Sequence, residues 1–239
     1  MNKDIQKPTF FRRTVAYVID ILLVTLLATA ISMVFIDNTS YKSKTNELME
    51  LTKQYTEKKI TQEEYSKQFD EMNYYLTKDG VGTSIINCSV AIVYYVVLCF
   101  FCHGITLGKY IMKLRIVSAN EKELNMGNYL IRGLFANLIL SNLVSIIFVS
   151  VMSKSTFISV YPKVSSVLSL FLLATIIFIM YRNDGRGLHD LLSNTKVINV
   201  KNISEKETVK EEVVEAKVIE EKPATKKKTT TKKNTKKKE

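Results

Sequence analysis

Apolar and charged residues are not interleaved along this chain; they are sorted into blocks. Charge is nearly absent from 21–36, 85–102, 133–153 and 164–181, and dense in 41–79 and 201–239. A water-soluble fold alternates the two at helix or strand period, whereas an apolar run of about 18 residues or more crosses hydrocarbon. Four transmembrane helices are predicted, at 14–36, 85–103, 129–152 and 164–181. The first would reach about 34 Å at roughly 1.5 Å per residue. The predicted fold class is therefore an all-α membrane protein of four transmembrane helices. It carries an extracytoplasmic helical-hairpin insertion at 37–84 and a disordered Lys-rich tail at 201–239. A basic start followed by Ala28-Thr29-Ala30 imitates a cleavable signal, but Asp20 interrupts the apolar core and the run continues to Ile36. A retained first span is the expectation.

Within the insertion, Tyr65, Phe69, Met72 and Leu76 recur at helical spacing, and Thr61 with Glu64 has the form of a capping box. Leu48, Leu51 and Tyr55 make a shorter stripe before it. Two readings stand: a cap that binds a ligand or partner, or a hairpin that packs on itself or on the membrane surface.

Orientation follows from Lys and Arg near the span ends. The N-terminus 1–13, the loop 104–127 and the segment 182–201 carry four each, or twelve on one side. The opposite side carries nine, and 37–84 dilutes its seven with nine Asp and Glu. Both termini and the loop 104–128 are expected in the cytoplasm, in a multi-pass protein of the cell membrane.

Composition adds exclusions. Three cysteines make no disulfide framework, and eight glycines with three prolines exclude collagen-like repeats. The net charge of +11 arises largely in the tail, where Lys226–Lys238 holds eight lysines and no apolar residue. Such a segment builds no core, and its expected partners are anionic lipid headgroups. No aromatic residue interleaves with the lysines, so no specific nucleic-acid partner is expected.

Ionisable residues inside or beside a span are the first candidates for function. Asp20 lies two helical turns beyond Arg13, and Arg132 enters the third span from the same side. The three suggest a cluster in which Asp20 sits between two arginines, either as a structural lock between helices or as an ion or proton site. Asn137, Ser141 and Ser145 form a small polar stripe on the third helix, of the kind that joins helices. Gly104 to Lys109 imitates a phosphate-binding loop but is one residue short and has Tyr110 where Ser or Thr belongs. Nucleotide binding is rejected. A turn at Gly104–Gly108 followed by an amphipathic segment, with Ile111, Leu114 and Val117 toward lipid and Lys109, Lys113 and Arg115 toward headgroups, is the plainer expectation. His189-Asp190 has no nucleophile in a recognisable context, and His103 is the only other histidine. No catalytic residue, metal or cofactor is expected, and the chain is not expected to be an enzyme. Cys99 and Cys102 lie within an apolar span, and with Cys88 they are expected as small buried hydrophobes.

Three segments together resemble the RDD family of small bacterial membrane proteins, named for one Arg and two Asp. They are Arg13-Thr-Val-Ala-Tyr-Val-Ile-Asp20; Gly104, Thr106, Gly108 and Lys109 followed by Leu114-Arg115-Ile-Val117; and Gly187-Leu-His189-Asp190 followed by Thr195. Arg132 matches an arginine usual early in the next helix. The resemblance covers roughly 8–36 and 85–200, leaving the hairpin and the tail outside it. It implies a role in transporting ions or small solutes, with sodium/proton exchange suggested for some members, here through a homo-oligomer because four spans enclose little. The alternative is a non-catalytic anchor or assembly module that presents the hairpin outside and the basic tail inside.

Overall fold

The computed structural model describes residues 8–120 and 122–200; the Lys-rich tail lies outside the described residues. The first helix, α1 (Phe10–Phe35), buries Ala16, Asp20, Val24, Ala28 and Ser32, one residue in every four. That spacing makes a nearly straight stripe of mostly small side chains, which lets helices approach closely. The stripe packs against α4 (Val81–Ile92). The opposite face, with Leu22, Leu26, Val34 and Phe35, is exposed and apolar, as lipid contact requires.

The insertion forms α2 (Thr39–Thr56) and α3 (Gln62–Asp79), packed side by side. The capping box is present: the Glu64 N–H donates to the Thr61 hydroxyl at 3.2 Å, and the Thr61 N–H donates to the Glu64 carboxylate at 2.9 Å. Tyr55 and Tyr65 stack across the hairpin, ring centres 4.5 Å apart. The hairpin does not pack on itself alone. Its second helix docks on the bundle through Tyr74, which meets Phe157 edge-on at 5.4 Å.

The second predicted span is continuous from Val81 to Phe101, as α4, a π-helical turn (Val93–Leu98) and α5 (Cys99–Phe101). A π turn holds an extra residue and commonly marks a functional position. Here it leaves the consecutive Tyr94 and Tyr95 both buried. Cys88 and Cys99 are buried as expected, but Cys102 at the end of α5 is exposed.

Beyond Gly104 the chain departs from two expectations. The segment after it is not a lipid-facing helix beyond the short α6 (Leu107–Ile111). Leu114–Ser118 is a strand, β1, paired antiparallel with β2 (Thr195–Asn199), Leu114 opposite Asn199 and Ser118 opposite Thr195. Leu114, Ile116, Thr195 and Val197 turn inward while Arg115, Val117, Lys196 and Ile198 do not. Period two, not 3.6, is the pattern in Leu-Arg-Ile-Val-Ser, and the fold is not purely α.

The third predicted span is broken. It divides into α7 (Met126–Ala136) and α8 (Ile139–Val151), bent by 72°. Leu138 carries the break with φ +59°. The last long helix, α9 (Lys154–Tyr181), starts ten residues before the predicted span, capped by Ser153, whose side chain accepts from the Thr156 N–H. Lys154, Pro162 and Lys163 lower the hydropathy of that first stretch, yet Phe157 buries it against Tyr74 and Tyr161. A short α10 (Leu188–Leu192) then leads into β2. Among the described residues, three helices are long and apolar enough to cross a membrane, and the bent pair α7–α8 makes a fourth if it counts as one span.

A buried cluster of Ala16, Val96, Cys99, Leu114, Ile116, Tyr129 and Val197 joins α1, α5, α7, the π turn and the β ribbon. It lies at the end of the bundle where α1 begins. The polar residues of interest are built around it.

Candidate functional site

Asp20 is 1% exposed and saturated by donors. Its Oδ1 accepts from the Tyr94 hydroxyl and the Gly108 N–H, each at 2.7 Å; its Oδ2 accepts from the Thr106 hydroxyl at 2.6 Å and pairs with Lys109 at 3.5 Å. The Tyr94 hydroxyl in turn accepts from the Leu107 N–H at 3.0 Å. One carboxylate in α1 therefore ties down the π turn and the start of α6. Gly108 makes this approach feasible. A Cβ there would stand 2.1 Å from the Ala16 carbonyl oxygen and 2.9 Å from Asp20 Oδ1. Gly104 has a separate reason to be glycine: φ is +85°, and a Cβ would meet the Ile116 carbonyl oxygen at 2.3 Å.

A second cluster forms around Asp190, which has no exposed side-chain surface. Arg132 of α7 donates to its Oδ1 and to the Thr195 hydroxyl, and Arg13 of α1 stands 3.7 Å from its Oδ2. The Gly187 N–H donates to the same Oδ2 at 3.1 Å. Arg13 extends further, donating to the carbonyls of Gly185 and Val197. The two arginines thus bind the connection after α9 to α1 and α7.

The expected trio is corrected by this geometry. Arg13 and Arg132 do meet around a buried aspartate, but the aspartate is Asp190; Asp20 takes Lys109 instead. Burial strips water from Lys109 and pulls its ammonium below the usual lysine range, against the attraction of Asp20. His189 is held well below the usual histidine range by burial first, and then by the positive charge of Arg132, Arg13 and Lys109. It is neutral at physiological pH.

Both clusters border one cavity of about 470 Å³. Its walls come from α1, the π turn, α5, α6, both strands of the ribbon, α7, the α7–α8 break, α9 and α10. Its lining is mainly apolar, with Arg13, Lys109, Arg132 and His189 among it. Four buried polar atoms of its lining residues have no hydrogen-bond partner among the described residues: Arg13 Nε, Tyr95 Oη, Thr175 Oγ1 and His189 Nδ1. Buried polar groups are seldom left in that condition, and four among the residues around one cavity make it the candidate site.

Residues 7–194 match the model of the RDD family. The chain belongs to the RDD family. No curated protein and no solved structure matches it. RDD proteins are bacterial membrane proteins, in keeping with the apolar helices described above.

The residues that carry the resemblance in the sequence separate into distinct tasks. Asp20, Thr106, Gly108 and Lys109 form the first cluster; Arg13, Arg132 and Asp190 form the second, with His189 beside it. Gly104 shapes the turn before α6. Arg115 stands apart from both clusters and donates to the His103 carbonyl at 2.8 Å on the exposed side of the ribbon. Among the described residues, no three His, Cys, Asp or Glu side chains gather as a metal site.

Three participants escape a reading of the sequence: Tyr94, Tyr95 and Thr175. A pair of tyrosines inside an apolar span is the available signal, since a buried phenol calls for a partner. Thr175 carries none, being one hydroxyl in an apolar helix. The predicted stripe of Asn137, Ser141 and Ser145 does not share one helix, because Asn137 ends α7 and the serines lie in α8.

Proposed function

We propose that this RDD protein is a carrier of the cell membrane that binds a small solute in the cavity beside the α7–α8 break. The supporting observation is that cavity: about 470 Å³, within the range of small-molecule sites, with four unpartnered polar atoms in its lining residues. Helices broken near the membrane interior are a recurring way to expose backbone and side-chain polarity to a transported solute. The cavity is enclosed by one chain, so binding does not depend on a homo-oligomer, although subunits can associate.

Sodium/proton exchange fits this geometry poorly. Asp20 is engaged by four donors and Asp190 by arginines and a backbone N–H, so neither keeps a carboxylate oxygen for a sodium ion. A purely structural module would account for the two clusters, but it assigns no role to the unpartnered atoms. The carrier reading keeps both termini in the cytoplasm and the hairpin outside, with Lys226–Lys238 against anionic headgroups.

Leu172→Cys, in a chain whose native cysteines are replaced by alanine, tests the carrier reading. Leu172 lines the cavity in the second half of α9. In sealed vesicles of either orientation, a small impermeant thiol reagent should modify it from both faces. Modification from one face only, or from neither, would overturn alternating access.

A further inference from the structure

The cavity also indicates what its ligand is. Among the described residues three cations line it, Arg13, Lys109 and Arg132, against two carboxylates, Asp20 and Asp190, that those cations already engage. One positive charge remains in this set. His189 adds none, since burial among the arginines keeps it neutral.

Polarity is gathered at one end. Thr175, Ile179 and His189 all converge on Gly187, where a Cβ would meet each of them at 3.0 Å. The Gly187 N–H is itself bonded to Asp190, and Asp190 is bound to Arg132 and paired with Arg13. The side chains of Thr175, His189 and Arg13, each with an unpartnered polar atom, therefore belong to one neighbourhood, beside the surplus charge. The hydroxyl of Thr175 and the Arg13 Nε–H can donate to an oxyanion, whereas neutral His189, whose Nε2 lies 3.6 Å from Asp190 Oδ2, keeps its proton toward that carboxylate and leaves Nδ1 as an acceptor.

The remainder of the lining is mainly hydrocarbon, with Thr14, Tyr17, Tyr95, Thr106 and Asn137 as its other polar groups, and it reaches the surface sideways. Phe10, Tyr17, Leu138 and Ile176 line the cavity yet are more than a third exposed. They come from α1, from the helix break and from α9. Around this edge α9 presents Leu170, Leu173, Ile177 and Met180 outward, an apolar surface suited only to lipid. An opening edged by such residues is one that a lipid can enter.

We propose that the cavity admits a singly charged anionic lipid from the side, between α1 and α9, and reads its oxyanion headgroup with Arg13 and Thr175. The proposal rests on the carrier reading above and names its substrate class. The cavity holds a headgroup and the first part of one chain, and the remaining hydrocarbon stays in the membrane.

Two variants of the full chain probe it. Ile176→Trp narrows the side opening at a half-exposed position, and Thr175→Val removes a hydroxyl with no partner among the described residues, so both fold. Each protein is reconstituted in vesicles of equal phosphatidylglycerol and phosphatidylcholine, extracted in mild detergent at high salt, and its retained lipid measured by native mass spectrometry. High salt suppresses exchange on the basic tail, which is common to all three proteins.

The wild type should retain phosphatidylglycerol over phosphatidylcholine by about tenfold, the effect of one good charge-assisted contact. Ile176→Trp should abolish that preference and Thr175→Val should reduce it several-fold, roughly the worth of one hydrogen bond. Equal retention of the two lipids, or full retention in Ile176→Trp, would overturn the proposal. So would displacement of the lipid by millimolar inorganic phosphate, which would make this a site for a free oxyanion. If lipid selectivity fails while Leu172→Cys still reacts from both faces, the ligand is wrong and the carrier stands. If Leu172→Cys does not react from both faces, the carrier itself falls.

Discussion

Among single residues, the two buried aspartates divide the labour between them. Each is stable as an anion only because donors surround it, so removing its charge strands several partners at once. Asparagine at position 20 would offer one acceptor and an unwanted amide donor where Tyr94, Thr106, Gly108 and Lys109 all converge. Asp20→Asn should therefore cost about 3–5 kcal/mol, the usual loss when one partner of a buried pair is removed. The identity of its cation makes this specific. Lys109→Met in the same chain should restore part of the loss, because it removes the stranded ammonium, whereas Arg132→Gln should add a further loss by uncovering Asp190. Thermal unfolding of the purified single and double variants in detergent reads both. Restoration by Arg132→Gln and not by Lys109→Met would contradict the pairing. From the sequence, Arg13, Asp20 and Arg132 are all legible as special, since a charge in or beside an apolar run is costly and is kept there for a partner or a function. Their pairing is not, because Asp190 and Lys109 reach them from 58 or more positions away along the chain.

Among the elements, apolar runs are easy to read and their interruptions are not. The first and second spans are legible because each is one helix-length stretch that is apolar almost throughout. The break at Leu138 carries neither glycine nor proline, the usual causes of a sharp kink. A leucine holds positive φ there because the neighbouring Ile139 is fully buried against the α4 and π-turn core, which fixes where α8 must begin. The β ribbon escapes for a different reason. Five residues can be fitted by either period, and only the arrival of Thr195–Asn199 beside Leu114–Ser118 supplies the ladder that decides it. Glycine is where an element-level prediction is sharpest. Gly108→Ala forces a methyl group against the Ala16 carbonyl and should destabilise by about 2–3 kcal/mol, with α6 displaced from α1. Gly127→Ala, in the first turn of α7, should change stability by less than about 1 kcal/mol. Comparable melting temperatures for the two variants would show that α6 does not approach α1 as closely as described.

For the whole molecule, the arrangement along the membrane normal has one consequence that can be checked directly. Both aspartate clusters, the ribbon and the start of α1 share one end, while the hairpin connects α1 to α4 at the other. The proposed orientation, argued from the Lys and Arg near the span ends, has the first end in the cytoplasm. In a chain without native cysteines, Lys59→Cys should be labelled by an impermeant thiol reagent on intact cells, and Thr230→Cys only after permeabilisation. The opposite result would invert the protein without altering its fold. It would also turn the site between α1 and α9 toward the outer leaflet, and so change the source of its lipid.

Local sequence is enough to establish that this is a membrane protein with a helical insertion and a Lys-rich C-terminal segment, and that Arg13, Asp20 and Arg132 are ionisable residues in or beside its apolar runs. Each of those properties is set by composition over a short window: the hydrophobic effect acts on every apolar stretch independently, and a capping box needs only four residues. Packing across the chain decided which aspartate meets which cation, where the third span breaks, and that a cavity lies between α1 and α9. Those outcomes depend on groups distant in sequence satisfying one another's charge and hydrogen bonds in a space from which water is excluded. No local pattern records which donor will arrive.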